Sequence, residues 1–141
     1  MGKVNMGRVI LGGFAAGVVI NLIEAVLNVF VLADEFGAAM RAMGKSGDIS
    51  TVTIVFFNLL GFAVGIVTVW LYAAIRTRFG AGPRTAIRAG LWTWAMYNLL
   101  PSTGLILLDL FPQKIMVTGM IVGMIELILA AVVGAWLYKE E

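Results

Sequence analysis

The chain of 141 residues contains no cysteine and no histidine. Without Cys it can form neither a disulfide bond nor a thiolate metal site. Without His it lacks the commonest metal ligand and the commonest general base. An enzyme built from this chain would depend on carboxylates alone, and no paired Asp or metal-binding spacing is present. We therefore expect no catalytic residues, no metal and no cofactor.

Charged residues are also scarce. They make up 13% of the chain, whereas 61% of the residues are hydrophobic. Soluble domains are about a quarter charged and about half apolar, so this composition is typical of a membrane protein. The net charge of +2 is too small to indicate a nucleic-acid partner. The length is enough for one domain, which we expect to cover residues 1–141 with the lipid bilayer as its surroundings.

Four apolar runs are long enough to cross a bilayer, which takes roughly 20 residues. The predicted spans are 9–33, 51–75, 89–108 and 115–138, and their only charges are Glu24 and Glu126. The first run is longer than a signal peptide's apolar region, so we expect an uncleaved helix. The short connections, with Pro83 placed to begin the third helix, favour antiparallel neighbours. The sequence thus predicts an all-α membrane protein, a bundle of four antiparallel transmembrane helices.

Basic residues near the ends of the predicted helices indicate the orientation. Seven of them lie on one side of the membrane: Lys3, Arg8, Arg76, Arg78, Arg84, Arg88 and Lys139. Three lie on the other side: Arg41, Lys45 and Lys114. We therefore expect a multi-pass protein of the cell membrane with both termini in the cytoplasm. In the outer connection, 34–48, apolar residues recur at helical spacing, which favours a short helix lying on the membrane surface.

Four arginines surround the predicted inner turn between the second and third helices: Arg76, Arg78, Arg84 and Arg88. A cluster of this kind can bind anionic lipid head groups. It also has a simpler explanation, because Arg in a short cytoplasmic loop fixes topology without binding a ligand. The second explanation is the one that the sequence favours.

Three of the four predicted helices carry a stripe of small residues at spacings of three and four. The glycines of these stripes are Gly13, Gly17, Gly61, Gly65, Gly119, Gly123 and Gly134. Small residues at such spacing let helix backbones approach closely within a membrane. The stripes therefore predict helix-packing faces, either inside the bundle or between subunits.

Glu24 and Glu126 lie on two of these stripes at a similar predicted depth, close to the middle of the bilayer, and Asn98 shares that level. An ionised carboxylate there is costly, so we expect at least one of the two glutamates to be protonated. Candidate hydrogen-bond partners are Asn21, Asn28, Asn58, Tyr97 and Asn98. Pro101 should kink the third helix beside this level. Such residues indicate a proton or cation site, or alternatively a hydrogen bond that only fixes helix register.

Two functions remain open from the sequence. The first is a transporter or conduit for protons or cations, which would need a homo-oligomer because four helices are few for a complete pathway. The second is an accessory or assembly subunit of a larger membrane complex. In outline, with four short helices, Glu24 in the first and aromatic residues in the third, the chain resembles the small multidrug transporters. It departs from that outline in its long outer connection, its strong charge bias and its second glutamate.

Overall fold

The computed structural model describes residues 3–139, and this part of the chain is helical without any strand. The helices are α1, Met6–Val26, continued by a π-helical segment, Leu27–Val31; α2, Ala33–Ala42; α3, Thr51–Phe79; α4, Pro83–Trp94, continued by a second π-helical segment, Ala95–Leu99, and by α5, Leu100–Leu107; and α6, Gln113–Leu137. The prediction of an all-helical protein is confirmed.

Three helical stretches of the described chain are long and apolar enough to cross a membrane: Met6–Val31, Thr51–Phe79 and Gln113–Leu137. They are the features expected of a membrane-embedded protein. The stretch from Pro83 to Leu107 is different, because the second π segment divides it into α-helices of 12 and 8 residues. We refer to Pro83–Leu107 as the divided helix.

The helix ends differ from the predicted spans for local reasons. α1 begins at Met6, three residues before the predicted span, because the Asn5 side chain caps it by accepting from the Arg8 N–H at 3.1 Å. Pro83 begins α4 as predicted, six residues before the apolar run. An apolar run shows only which part of a helix is compatible with lipid. The helix itself can extend past that run, because charged residues also form the backbone hydrogen bonds of a helix.

The helices pack in the order α1, α3, divided helix, α6 around the bundle, with α3 and α6 also in contact. One end of the bundle gathers the beginning of α1, the end of α6 and the turn between α3 and α4. There the Tyr138 hydroxyl accepts from the Asn5 N–H and the Tyr72 hydroxyl accepts from the Gly82 N–H, each at 3.2 Å. The two tyrosine rings meet edge to face, 6.0 Å apart. We call this end the arginine end, because the four arginines of the turn lie there.

The opposite end, which we call the α2 end, is held together more loosely. The core side chains that are fully buried, among them Val9, Val69 and Ala89, lie toward the arginine end. By contrast, the first ten residues of α3 are all exposed, and α5 has no buried residue. Because large apolar side chains are exposed there, this half of the bundle is suited to lipid or to another protein.

α2 packs against the beginning of α6 and the residues just before it. Ala39 is buried in one apolar cluster with Ile115, and the rings of Phe36 and Phe111 stack with centroids 6.1 Å apart. Lys114 forms an ion pair with Glu35, and its hydrogen bond and charge hold the pKa of the Glu35 carboxyl below its usual range. Most of the helix at 33–42 thus lies in the predicted connection 34–48, and apolar, aromatic and ionic contacts hold it against the bundle.

Candidate functional site

Glu126 is the most deeply buried ionisable group in the described chain. It lies near the middle of α6, thirteen residues from the start and eleven from the end, and its side chain is 2% exposed. Its Oε2 atom has no hydrogen-bond partner among residues 3–139. A buried polar atom without a partner costs free energy comparable to a lost hydrogen bond, so its presence needs an explanation.

Glu24 faces this carboxyl group from α1, close enough for the two groups to interact through charge and to share a proton. Asn28, one turn further along, donates from Nδ2 to Oε2 of Glu24 at 2.6 Å and to the Glu24 carbonyl oxygen at 2.8 Å. Glu24 is half-buried and Asn28 is exposed. The pair therefore consists of one enclosed carboxyl group and one reachable from the surface of the bundle.

The divided helix adds Tyr97 and Asn98 to the same region. The Asn98 side chain donates to the Gly119 carbonyl oxygen at 3.4 Å, and its Oδ1 atom is buried without a partner in the described chain. Tyr97 lies within electrostatic range of both glutamates. We call the group of Glu24, Glu126, Asn28, Tyr97 and Asn98 the carboxyl site.

Both π-helical segments lie at this site. The first contains Asn28 and follows Glu24 by three residues, and the second contains Tyr97 and Asn98. In each segment the hydrogen bond spans five residues instead of four, from Leu32 N–H to the Leu27 carbonyl and from Leu100 N–H to the Ala95 carbonyl. Single π turns are rare and occur often at functional sites. The second segment ends two residues before Pro101, where the sequence predicts a kink.

Two residues of the region escaped prediction from sequence. Thr93 is 8% exposed, and its hydroxyl has no partner within the described chain. Trp94 donates from Nε1 to the Met120 carbonyl oxygen at 2.9 Å, which joins the divided helix to α6. Thr93 lies one turn before Tyr97, and this i, i+4 spacing is the only sequence signal that links it to the site.

Asn21 and Asn58 lie apart from the carboxyl groups and form an α1–α3 contact instead. Asn21 donates from Nδ2 to the Asn58 carbonyl oxygen at 3.1 Å, and Asn58 donates to the Ile54 carbonyl of its own helix at 2.8 Å. The Asn58 side chain is exposed on the bundle surface. Of the five predicted partners, Asn28 therefore bonds to Glu24, and Tyr97 lies within electrostatic range of both glutamates. Asn98 contacts α6 at Gly119 and Gly123, one to two turns before Glu126.

The glycines of the stripes occupy different environments. Gly13, Gly17 and Gly65 meet at the α1–α3 crossing, where a Cβ on Gly65 would lie 2.5 Å from the Gly13 carbonyl oxygen. Two glycines outside the predicted set pack as closely: a Cβ on Gly12 would lie 2.5 Å from the Gly134 carbonyl oxygen, and one on Gly90 would lie 2.6 Å from the Leu127 carbonyl oxygen. Such contacts allow backbones to touch.

Two other glycines of the stripes lie against asparagine side chains. Gly61 leaves room for the Asn21 side chain, and a Cβ on Gly123 would lie 2.6 Å from Asn98 Nδ2. Gly119 differs from the rest of its stripe, because a Cβ there would meet no atom within 4 Å. Gly119 takes part through its carbonyl oxygen, which accepts from Asn98.

The arginines lie at some distance from the carboxyl site. The Arg76 guanidinium lies over the Tyr72 and Tyr138 rings, 5.8 and 5.2 Å from their centroids, and Arg88 lies 4.8 Å from the centroid of Phe79. Arg78 and Arg84 are exposed. Aromatic contacts of this kind hold guanidinium groups in a fixed orientation.

The carboxyl site offers oxygen atoms: two carboxyl groups, the Asn98 amide oxygen and the Tyr97 hydroxyl. No family model, curated protein or solved structure matches this chain. Within residues 3–139, no three Asp, Glu, His or Cys side chains converge as metal ligands would. The chemistry available to the site is therefore the binding and release of a proton, or of a cation that accepts oxygen ligands.

Proposed function

We propose that this chain is a proton- or cation-linked transporter, or a conduit, and that it works as a homo-oligomer. The observation that carries the proposal is the pair of facing carboxyl groups, Glu24 and Glu126, of which the second is 2% exposed and has an unpartnered oxygen. A glutamate that served only to fix helix register would have its oxygens satisfied. An unsatisfied oxygen beside a second carboxyl group is instead suited to exchanging a proton or cation.

We infer four membrane crossings, the divided helix being the third. In support, the beginning of α1, the end of α6 and the α3–α4 turn meet at the arginine end, while α2 and the start of α6 meet at the other end. An even number of crossings accounts for this arrangement. The excess of Lys and Arg at the arginine end favours a cytoplasmic location for that end and for both termini, in the cell membrane. α2, with its apolar and charged faces, would lie at the outer surface.

The oligomeric part of the proposal is supported by exposed polar groups. Asn28 and Asn58 are exposed at the surface of a single chain, although both belong to helices that are apolar enough to cross a membrane. Lipid cannot form hydrogen bonds with them, so a neighbouring protein surface is the favourable environment. A second copy of the chain would provide it.

The same observation favours the alternative function, an accessory or assembly subunit of a larger complex. In that case the surface that includes Asn28 and Asn58 would be covered by a different protein. Gentle extraction followed by native mass measurement separates the two possibilities: a homo-oligomer supports transport by this chain, and a different chain at fixed stoichiometry supports the accessory role.

Transport is tested in proteoliposomes that contain a pH-sensitive dye and carry an imposed membrane potential. We expect proton flux with the parent protein, and at least a tenfold lower flux with Glu126→Gln and with Glu24→Gln, because an amide cannot release a proton. Asp109→Asn is the matched control, since it removes a carboxylate outside the site. Asp109 has a φ of 52°, a conformation that Asn also adopts.

Two outcomes would contradict the proposal. Both Gln variants could fold and carry the parent flux, or the parent could give no more flux than empty liposomes with protons, monovalent cations or divalent cations. A Gln variant that is simply more stable and leaves flux unchanged would assign the carboxyl groups a structural role.

A further inference from the structure

An apolar groove of about 550 Å³ lies between α3 and the divided helix. α3 contributes Ala63, Val67 and Leu71, and the divided helix contributes Trp92, Thr93 and Tyr97. The groove opens sideways from the bundle, as the 56% exposure of Val67 and the 64% exposure of Trp92 show. Its volume falls within the range of about 300–1,000 Å³ that is typical of ligand sites. Its almost wholly apolar wall suits a hydrocarbon chain.

Thr93 lines the groove, but its hydroxyl oxygen lies below the surface. Thr93 is 8% exposed, and that oxygen is buried without a hydrogen-bond partner among residues 3–139. A ligand in the groove therefore meets the apolar part of Thr93, and a polar head group must be bound at the end of the groove instead.

Two arginines lie where the groove reaches the arginine end. Arg88 precedes Trp92 by four residues and Arg78 follows Leu71 by seven, so helical periodicity places each below the groove-lining face of its own helix. Both are exposed, and neither forms an ion pair with a carboxylate in residues 3–139. Neither α3 nor the divided helix contains Asp or Glu. Two guanidinium groups therefore offer donors for a phosphate at this position.

Depth relates these features to one another. Thr93 lies five residues beyond Arg88 along α4, which is about 7–8 Å deeper at the ordinary helical rise. Trp92 lies between the two levels, and its amphipathic ring suits the boundary between head groups and hydrocarbon. From the arginine end inward, the groove thus presents cationic donors, an amphipathic ring and an apolar channel.

We propose that this groove binds an anionic phospholipid of the leaflet at the arginine end. The phosphate lies between Arg78 and Arg88, and one acyl chain fills the channel toward Tyr97. A net negative head group is required, because a zwitterionic one carries its own cation and cancels the attraction. None of these contacts uses Glu24 or Glu126, although Tyr97, at the inner end of the channel, also belongs to the carboxyl site.

The test measures lipid binding to the purified full chain by native mass spectrometry. Phosphatidylglycerol and phosphatidylcholine with identical acyl chains are titrated in parallel. Because two arginines near the membrane surface face the head group, phosphatidylglycerol should bind roughly thirtyfold more tightly than phosphatidylcholine. Equal affinities for the two lipids would overturn the proposal.

Paired variants separate the two halves of the site. Arg78→Gln together with Arg88→Gln should reduce phosphatidylglycerol binding to the phosphatidylcholine level, whereas Arg8→Gln, at the same end on α1, should leave the preference intact. Ala63→Phe should fill the channel and weaken both lipids at least fivefold, whereas Ala25→Phe, on an exposed face of α1, should not. These positions lie on the surface, and circular dichroism and elution volume check folding.

Two results would contradict the acyl-chain part of the proposal. Ala63→Phe could bind phosphatidylglycerol as tightly as the parent does, or glycerol 3-phosphate at equal concentration could displace the lipid. Either result would mean that the arginines hold a phosphate without an ordered chain in the groove. A double arginine variant that keeps the full preference for phosphatidylglycerol would refute the head-group part.

Discussion

Replacing Gly65 and Gly119 by alanine tests how the helices approach one another. Both glycines belong to small-residue stripes, and both lie inside helices. A Cβ on Gly65 would lie 2.5 Å from the Gly13 carbonyl oxygen and 2.6 Å from the Gly17 backbone nitrogen, whereas a Cβ on Gly119 would meet nothing within 4 Å. The two substitutions are chemically identical, so their difference isolates the steric contribution.

The magnitude follows from two opposing effects. Alanine favours a helix over glycine by up to about 1 kcal/mol, and this gain applies at both positions. Overpacking costs about 1–3 kcal/mol, and at Gly65 the obstructing atoms belong to the backbone of α1, which cannot rotate away as a side chain can. We therefore expect Gly119→Ala to keep or slightly raise the free energy of unfolding. Gly65→Ala should lie about 1–3 kcal/mol below it.

The measurement is equilibrium unfolding of both variants in mixed micelles, followed by circular dichroism and by tryptophan fluorescence. The parent protein fixes the reference, and equal denaturant dependence in the three proteins would show that the same unfolding reaction is compared. Equal free energies of unfolding for the two variants would refute the reasoning, because the α1–α3 crossing would then have no need of a glycine at position 65.

Trp94→Phe should lower the free energy of unfolding by about 1 kcal/mol, because the Met120 carbonyl oxygen loses its indole donor. Trp92→Phe, at a 64% exposed position, should change it by less than about 0.5 kcal/mol, and equal losses would contradict this. Glu35 has a pKa below its ordinary value of 4.5, so its contribution to the docking of α2 is present above that value and is lost as pH falls through the lower folded-state pKa. Hydrogen exchange of the α2 amides should therefore accelerate in acid, and Lys114→Gln should remove most of that pH dependence.

Much of the fold could be predicted from the sequence because long apolar runs have few alternatives in a membrane. The start of α3 at Thr51 was predicted to the residue, although the helix continues four residues past the predicted end, to Phe79. Pro83 was recognised as a helix start. The stripes indicated where backbones touch, yet the pattern treats Gly65 and Gly119 alike. The path of the neighbouring helix makes the difference: Gly65 contacts the backbone of α1, whereas Gly119 has open space beside it and its carbonyl oxygen accepts from Asn98.

The carboxyl site was predictable in its residues but not in its connections. Glu24 and Glu126 stand out in any apolar sequence, and Asn98 shares their level. Asn21 precedes Glu24 by three residues, a spacing at which the two side chains could form a hydrogen bond. Instead, the Asn21 side-chain amide donates to the Asn58 carbonyl oxygen on α3. The π segment at Leu27–Val31 is not followed by a proline, unlike the one before Pro101, so no residue in the sequence predicts it. Packing against the other helices, and not the local sequence, determines these hydrogen-bond partners and this π segment.

The π segment of the divided helix also bears on how the chain length can vary. A turn closed over five residues holds one residue more than an α-helical turn, while the helix on either side keeps its usual facing. Deleting one residue within Ala95–Leu99 would therefore restore a plain α-helix and leave the faces of α4 and α5 in place. A deletion elsewhere in the divided helix would rotate everything beyond it by about 100°. The extra residue of this segment thus lies where its removal would alter only the side chains beside the two glutamates.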